Sequence, residues 1–169
     1  MEILIIPGFS LKNKDWAESI KQSLDSSSPT KINYFPHWQT NKAEENWLNK
    51  EVEKILIEFS GQTINILAKS VGTIIAMKVL AQKPEIFNKL ILCGIPVDDF
   101  LAGDDKLYEA LKSLPAEKIL VIQNENDNHG SFMKVEALIH QINPQIKVIS
   151  MPRDDHDYPY PEDFREFLK

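Results

Sequence analysis

Short apolar runs recur along the chain, each followed by a segment with helical spacing, and this alternation restricts the fold more than any other feature. Ile3–Ile6 is apolar without interruption and stops at Pro7-Gly8, the pattern of a strand covered on both faces. The stretch after it sets Trp16, Ile20 and Leu24 on one helical stripe, and Ser26-Ser27-Ser28-Pro29 ends that helix. Lys31–Phe35 reads as a second strand, stopped by Pro36. From Lys42 to Phe59 the apolar residues Trp47, Leu48, Val52, Ile55, Leu56 and Phe59 follow one helical face, and Gly61 closes it. Further strands are expected at Ile64–Ala68, Lys89–Cys93, Lys118–Ile122 and Ile146–Met151. Val71–Leu80 is apolar nearly all round, so that helix belongs inside. Phe132, Val135, Leu138, Ile139 and Ile142 mark another helix, and Pro161–Leu168 a closing one with proline in its first turn.

Strands alternating with helices build a parallel sheet covered on both faces. The expectation is a three-layer α/β/α sandwich forming a single domain over residues 1–169, without repeats or linkers. A chain of 169 residues buries a sizeable core without metal or disulfide staples. The lone cysteine, Cys93, excludes an intrachain disulfide and, within Leu90-Ile91-Leu92-Cys93, reads as a packing residue. A net charge of −6 argues against a nucleic-acid partner. The opening apolar run is too short for a signal peptide and lacks a basic flank, and no stretch approaches a membrane span. The expectation is a cytoplasmic monomer or homodimer with no membrane partner.

In such sheets the site lies beyond the carboxyl ends of the strands, so the residues following each strand carry the functional reading. The third strand runs into Ala68-Lys69-Ser70-Val71-Gly72 and then the buried helix. A sharp strand-to-helix turn there would put Ser70 at its tip, with the small residues Ala68 and Gly72 letting the turn pass close to its neighbours. A serine at this place also suits a plain helix N-cap. The fifth strand ends in Gln123-Asn124-Glu125-Asn126-Asp127-Asn128-His129-Gly130, which offers Asp127 or Glu125 as a carboxylate. The sixth ends in Met151-Pro152-Arg153-Asp154-Asp155-His156-Asp157-Tyr158, which offers His156. Adjacent carboxylates rarely converge on one ion and no second histidine is near, so no metal is expected. Pro7-Gly8-Phe9-Ser10-Leu11 has a single glycine and lacks the G-x-G-x-x-G of a dinucleotide loop, so no cofactor is expected. Ser10 reads as a helix cap or pocket residue.

The order Ser, Asp, His after strands three, five and six resembles the α/β-hydrolase pattern over nearly the whole chain, from Ile-Ile-Pro-Gly-Phe to Met-Pro-Arg-Asp-Asp-His. The resemblance implies a minimal α/β-hydrolase fold with a six-stranded parallel sheet in the order 2-1-3-4-5-6 and no lid domain. It implies Ser70 as nucleophile, Asp127 as acid and His156 as base, with the N–H groups of Phe9 and Val71 as an oxyanion hole. It departs from the family at Ala68, at Lys69 before the serine, at Pro7 before Gly8, and at Asn124, where the acid loop usually has glycine. Asp98 and Asp99, after the fourth strand, are the competing positions for the acid. The activity implied is hydrolysis of small carboxylic esters through an acyl-enzyme. A peptidase or thioesterase on the same site and a non-catalytic binding module are the alternatives. From loop positions, Phe9, Val97, Phe100, Leu101 and Tyr158 are expected as apolar pocket walls, with His37 at the pocket mouth and His129 and His140 without a catalytic role.

Overall fold

The computed structural model describes all of residues 1–169. The elements follow in the order β1 (Ile3–Ile6), α1 (Lys12–Leu24), β2 (Thr30–Ile32), α2 (His37–Thr40), α3 (Trp47–Glu58), β3 (Ile64–Lys69), α4 (Val71–Gln82) and β4 (Phe87–Cys93). They continue with α5 (Asp104–Leu107), β5 (Ile119–Asn124), α6 (Phe132–Ile142), β6 (Lys147–Met151) and α7 (Pro161–Leu168). The six strands form one parallel sheet in the order β2-β1-β3-β4-β5-β6. This is the fold class and strand order read from the sequence.

The uninterrupted apolar runs are explained by two cores that share the same strands. Leu4, Ile6, Ile64, Ile66, Ala68, Leu90, Leu92, Ile119 and Val121 point to the face covered by α3, α4 and α6. Ile3, Ile5, Leu67, Ile91, Cys93, Leu120 and Ile122 point to the face covered by α1 and α7. Burying each large aliphatic side chain contributes on the order of 1.5–3 kcal/mol. Helix α4 lies between the sheet and its neighbours, with eight of its residues buried, which accounts for its nearly all-round apolar surface. Cys93 is fully buried and burial pushes its thiol pKa up, in keeping with a packing residue.

Two boundaries differ most from expectation, for local reasons. Pairing of β2 stops at Ile32, because Asn33 turns its amide to the buried Glu51 carboxylate at 2.8 Å and Pro36 opens α2. The helix expected from Lys42 starts at Trp47, since Asn41 takes a left-handed conformation (φ 57°) that ends α2 and begins a loop. Between β4 and β5 there is α5 together with three 3-10 turns, at Val97–Asp99, Tyr108–Ser113 and Ala116–Lys118. No helix is long and apolar enough to cross a membrane.

Candidate active site

Ser70 stands where β3 gives way to α4, with φ 57° and ψ −128°. A side chain held in that region costs on the order of 1–3 kcal/mol and persists only where the surroundings impose it. Here the imposition is visible. The Ser70 N–H donates to the Cys93 carbonyl at 3.0 Å, and the Ser70 carbonyl accepts from the Thr73 hydroxyl at 2.6 Å. Thr73 has then used its proton, so the buried Tyr108 hydroxyl, 2.6 Å away, is the donor to it. Gly72 lets the first turn of α4 press against β1: a Cβ there would lie 2.2 Å from the Ile6 carbonyl oxygen.

Asp127 and His156, from the loops after β5 and β6, meet. The imidazole Nδ1–H donates to Asp127 Oδ2 at 2.7 Å. The carboxylate is 3% exposed and takes two further hydrogen bonds, from Tyr158 Oη at 2.5 Å to Oδ2 and from the His129 N–H at 2.8 Å to Oδ1. Burial, the largest influence, pushes the carboxyl pKa up, and the three hydrogen bonds outweigh it, leaving Asp127 below the ordinary carboxylate value. The other acids are engaged elsewhere: Asp98 with Lys134 at 2.6 Å and Asp99 with His129 at 2.5 Å. Glu125 is exposed. With Nδ1 committed to Asp127, the second ring nitrogen of His156, Nε2, is buried and has no partner. Ser70 and His156 line the same cleft, of about 660 Å³.

Asn124, where the family resemblance leads one to expect glycine, ties the loop carrying Asp127 to the loop carrying His156. Its Nδ2 donates to the carbonyls of Asp155 at 2.8 Å and Asp157 at 2.7 Å, and its Oδ1 accepts from Tyr160 Oη at 2.6 Å. Its backbone N–H donates to Tyr158 Oη at 3.1 Å. The neighbouring Gln123, fully buried, accepts from the Ile95 N–H at 2.9 Å and donates to the Gly130 carbonyl at 2.6 Å. Gly94, at φ 61°, opens room for the loop carrying His156: a Cβ there would meet the Tyr158 ring at 2.6 Å and the His156 ring at 3.1 Å.

The loop after β1 borders the cleft at Phe9 and Ser10. The N–H groups of Phe9 and Val71 have no hydrogen-bond acceptor in the chain. The Phe9 carbonyl accepts two hydrogen bonds, from His37 Nε2 at 2.7 Å and Trp38 Nε1 at 2.8 Å. A carbonyl only accepts, so Nε2 of His37 carries the proton.

The expected pocket walls are mostly elsewhere. Phe9 and Leu101 line the cleft. Tyr158 is fully buried beneath Asp127, and Val97 and Phe100 pack against the core on the α4 face, because the chain leaving β4 turns inward in a 3-10 turn. His37 is buried under Phe9, with ring centroids 4.3 Å apart, and is not at the mouth. His129 packs against His156 with ring centroids 4.3 Å apart and ring planes tilted by 49°, and it reaches the cleft. His140 donates from Nε2 to the Ile146 carbonyl at 3.1 Å within its own helix-to-strand connection. The cleft walls that sequence reasoning missed come from α3 and the loop before it, Glu45 to Asn49, and from Ile74 and Lys78 of α4. Polar residues outnumber apolar ones along the cleft, but apolar atoms make up the larger part of its surface. No group of three or more His, Cys, Asp or Glu side chains is arranged to hold a metal ion.

Comparison with known proteins found no matching family model and no matching curated protein. Among solved structures, an alpha-beta serine hydrolase homologue from Coxiella burnetii superposes with a TM-score of 0.73 at 20% identity, over 99% of this chain and 83% of that one. Alpha/beta hydrolase domain-containing protein 10 from mouse gives 0.70 at 13% identity, over 99% and 87%. Est1E from Butyrivibrio proteoclasticus, also solved with ferulic acid bound, gives 0.64 at 16% identity, over 99% and 86%. At these identities the likeness is one of fold.

Proposed function

We propose that this chain, which has the α/β-hydrolase fold, is a serine hydrolase that cleaves carboxylic esters, with Ser70 as nucleophile, His156 as general base and Asp127 as the acid that orients it. The observation that carries the reading is the Asp127–His156 hydrogen bond, which leaves imidazole Nε2 without a partner beside the cleft that holds Ser70. A serine hydroxyl is a weak nucleophile until a base takes its proton. His156 takes it as Ser70 Oγ attacks the ester carbonyl, and Asp127 stabilises the imidazolium that forms. The carbonyl oxygen, now an oxyanion, is held by the N–H groups of Phe9 and Val71. The imidazolium returns its proton to the departing alkoxide as the acyl-enzyme forms. Water, activated by the same imidazole, then releases the acid.

The mixed lining, with polar side chains set among apolar walls, refines the substrate expected of this site. A short acyl group fits against Phe9, Val71 and Ile74, while Asn46, Asn49, Lys78 and Glu45 face the rest of the ligand. A small ester with a polar alcohol portion suits such walls better than a long hydrocarbon. A p-nitrophenyl ester series tests this: acetate or butyrate should be hydrolysed faster than decanoate, and the reverse order overturns the small-acyl assignment. Treatment with a fluorophosphonate probe should label Ser70 stoichiometrically, with Ser70→Ala unlabelled. One observation favours a second reading, a non-catalytic binding module: Ser70 Oγ and His156 Nε2 are not hydrogen-bonded to each other. Well-folded protein that takes up no probe would establish that alternative.

A further inference from the structure

We propose that Lys69 is a positioning residue of the oxyanion loop. Its buried ammonium, acting through Asn13, holds Gly8–Ser10 in the shape that presents the Phe9 N–H to the substrate oxygen. The inference rests on the serine-hydrolase reading of the site.

Strand alternation sends Lys69 to the face opposite α4, where its Nζ donates to Asn13 Oδ1 at 2.7 Å and lies 5.1 Å from the centre of the Trp16 ring. The side chain is 5% exposed. An ammonium has three N–H donors, and Asn13 is the one hydrogen-bond acceptor this one finds in the protein. Holding a cation there is unfavourable compared with an apolar side chain of similar size, so stability does not account for a lysine at this place. Burial holds its pKa below the ordinary lysine value, although Cys93, Asp157, Asp127 and Asp155 act in the opposite sense.

What the ammonium does is fix the sense of an amide. With Oδ1 of Asn13 turned to Lys69, Nδ2 faces the loop and donates to Ser10 Oγ at 3.0 Å and to the Ser10 carbonyl at 3.2 Å. The reversed amide would set an NH₂ group against the ammonium. The same Asn13 amide packs on Gly8, where a Cβ would stand 2.7 Å from it. From the other side, His37 and Trp38 grip the Phe9 carbonyl. Three consecutive residues are therefore clamped from two directions, and only the Asn13 side depends on a charge. Because Lys69 directly precedes Ser70, one segment sets both the nucleophile and the loop that receives the oxyanion.

The test compares the full chain with Lys69→Met, Asn13→Ala and the double variant, on p-nitrophenyl acetate and on its thiono analogue, whose sulfur is a poor hydrogen-bond acceptor. Lys69→Met should lower kcat for the oxygen ester by roughly tenfold to a hundredfold, short of the ~10²–10³ expected for removing an oxyanion donor outright. KM should stay unchanged, the thiono ester should lose much less, and the double variant should be no slower than Lys69→Met alone. Folded single variants with unchanged kcat, or with equal losses on both esters, overturn the inference while leaving the hydrolase reading in place. A wild-type chain that neither labels at Ser70 nor turns over either ester removes both. If Lys69→Met does not fold, Asn13→Ala carries the same comparison.

Discussion

At the scale of single residues, the Asp127 carboxylate is as much constrained as Ser70. The Tyr158 hydroxyl bridges Asp127 and the Asn124 N–H, so Tyr158→Phe removes a donor from a buried carboxylate and an acceptor from a buried amide. The expected loss is about 1–3 kcal/mol of stability. Asp127 has a folded pKa below its ordinary value of 3.8. Its contribution is thus complete above that value and is lost as pH falls through the lowered one. In Tyr158→Phe the folded pKa should rise, so part of this acid-labile stability disappears and the smaller decline is complete at a higher pH. Urea unfolding from about pH 2 to pH 5 measures both effects, and superimposable pH profiles would contradict the bridging role. Ser70→Gly should do the opposite to stability, relieving a φ of 57° and raising the unfolding free energy by about 1 kcal/mol while abolishing probe labelling. The places of Ser70, Asp127 and His156 at the carboxyl edge of the sheet were legible because each follows an apolar strand. Tyr158 was misread as a pocket wall, because its direction depends on a crossing between two loops that no local pattern encodes.

At the scale of elements, close approach decides where the site can form. Gly72 is the contact point of α4 on β1, and Gly72→Ala drives a methyl into backbone that cannot retreat. A loss of about 1–3 kcal/mol is expected from such overpacking, together with slower probe labelling of Ser70 as the turn shifts. Thermal unfolding and labelling rates, measured together, test this, and a variant of wild-type stability would show that α4 can slide. Apolar runs and helical stripes revealed every strand and the long helices, since burial on one or both faces leaves a period in the sequence. The polar stretch between α2 and α3 has no such period, so the cleft walls it supplies, Glu45 and Asn46, stayed hidden. The short second strand was overextended for a related reason: Phe35 looks like sheet but is buried in a cluster with His37, Trp38 and Trp47.

At the scale of the whole molecule, the two cores are one cooperative system, because β1, β3, β4 and β5 each supply side chains to both. Trp16 reports on one face, and Trp38 with the adjoining Trp47 on the other. Single-tryptophan variants should therefore give coincident urea midpoints, matching far-ultraviolet circular dichroism; separated midpoints would mean that one face melts first. The fold was legible as a whole because alternation leaves few topologies open, whereas the bonds that join its loops were not. Those bonds set the terms on which the scaffold can be re-engineered. With Asn124 holding the Asp155 and Asp157 carbonyls, the loops carrying Asp127 and His156 form a matched pair. A loop transplanted in place of the His156 loop from another protein of this fold would arrive without its counterpart, so a successful graft must exchange position 124 together with the loop it holds.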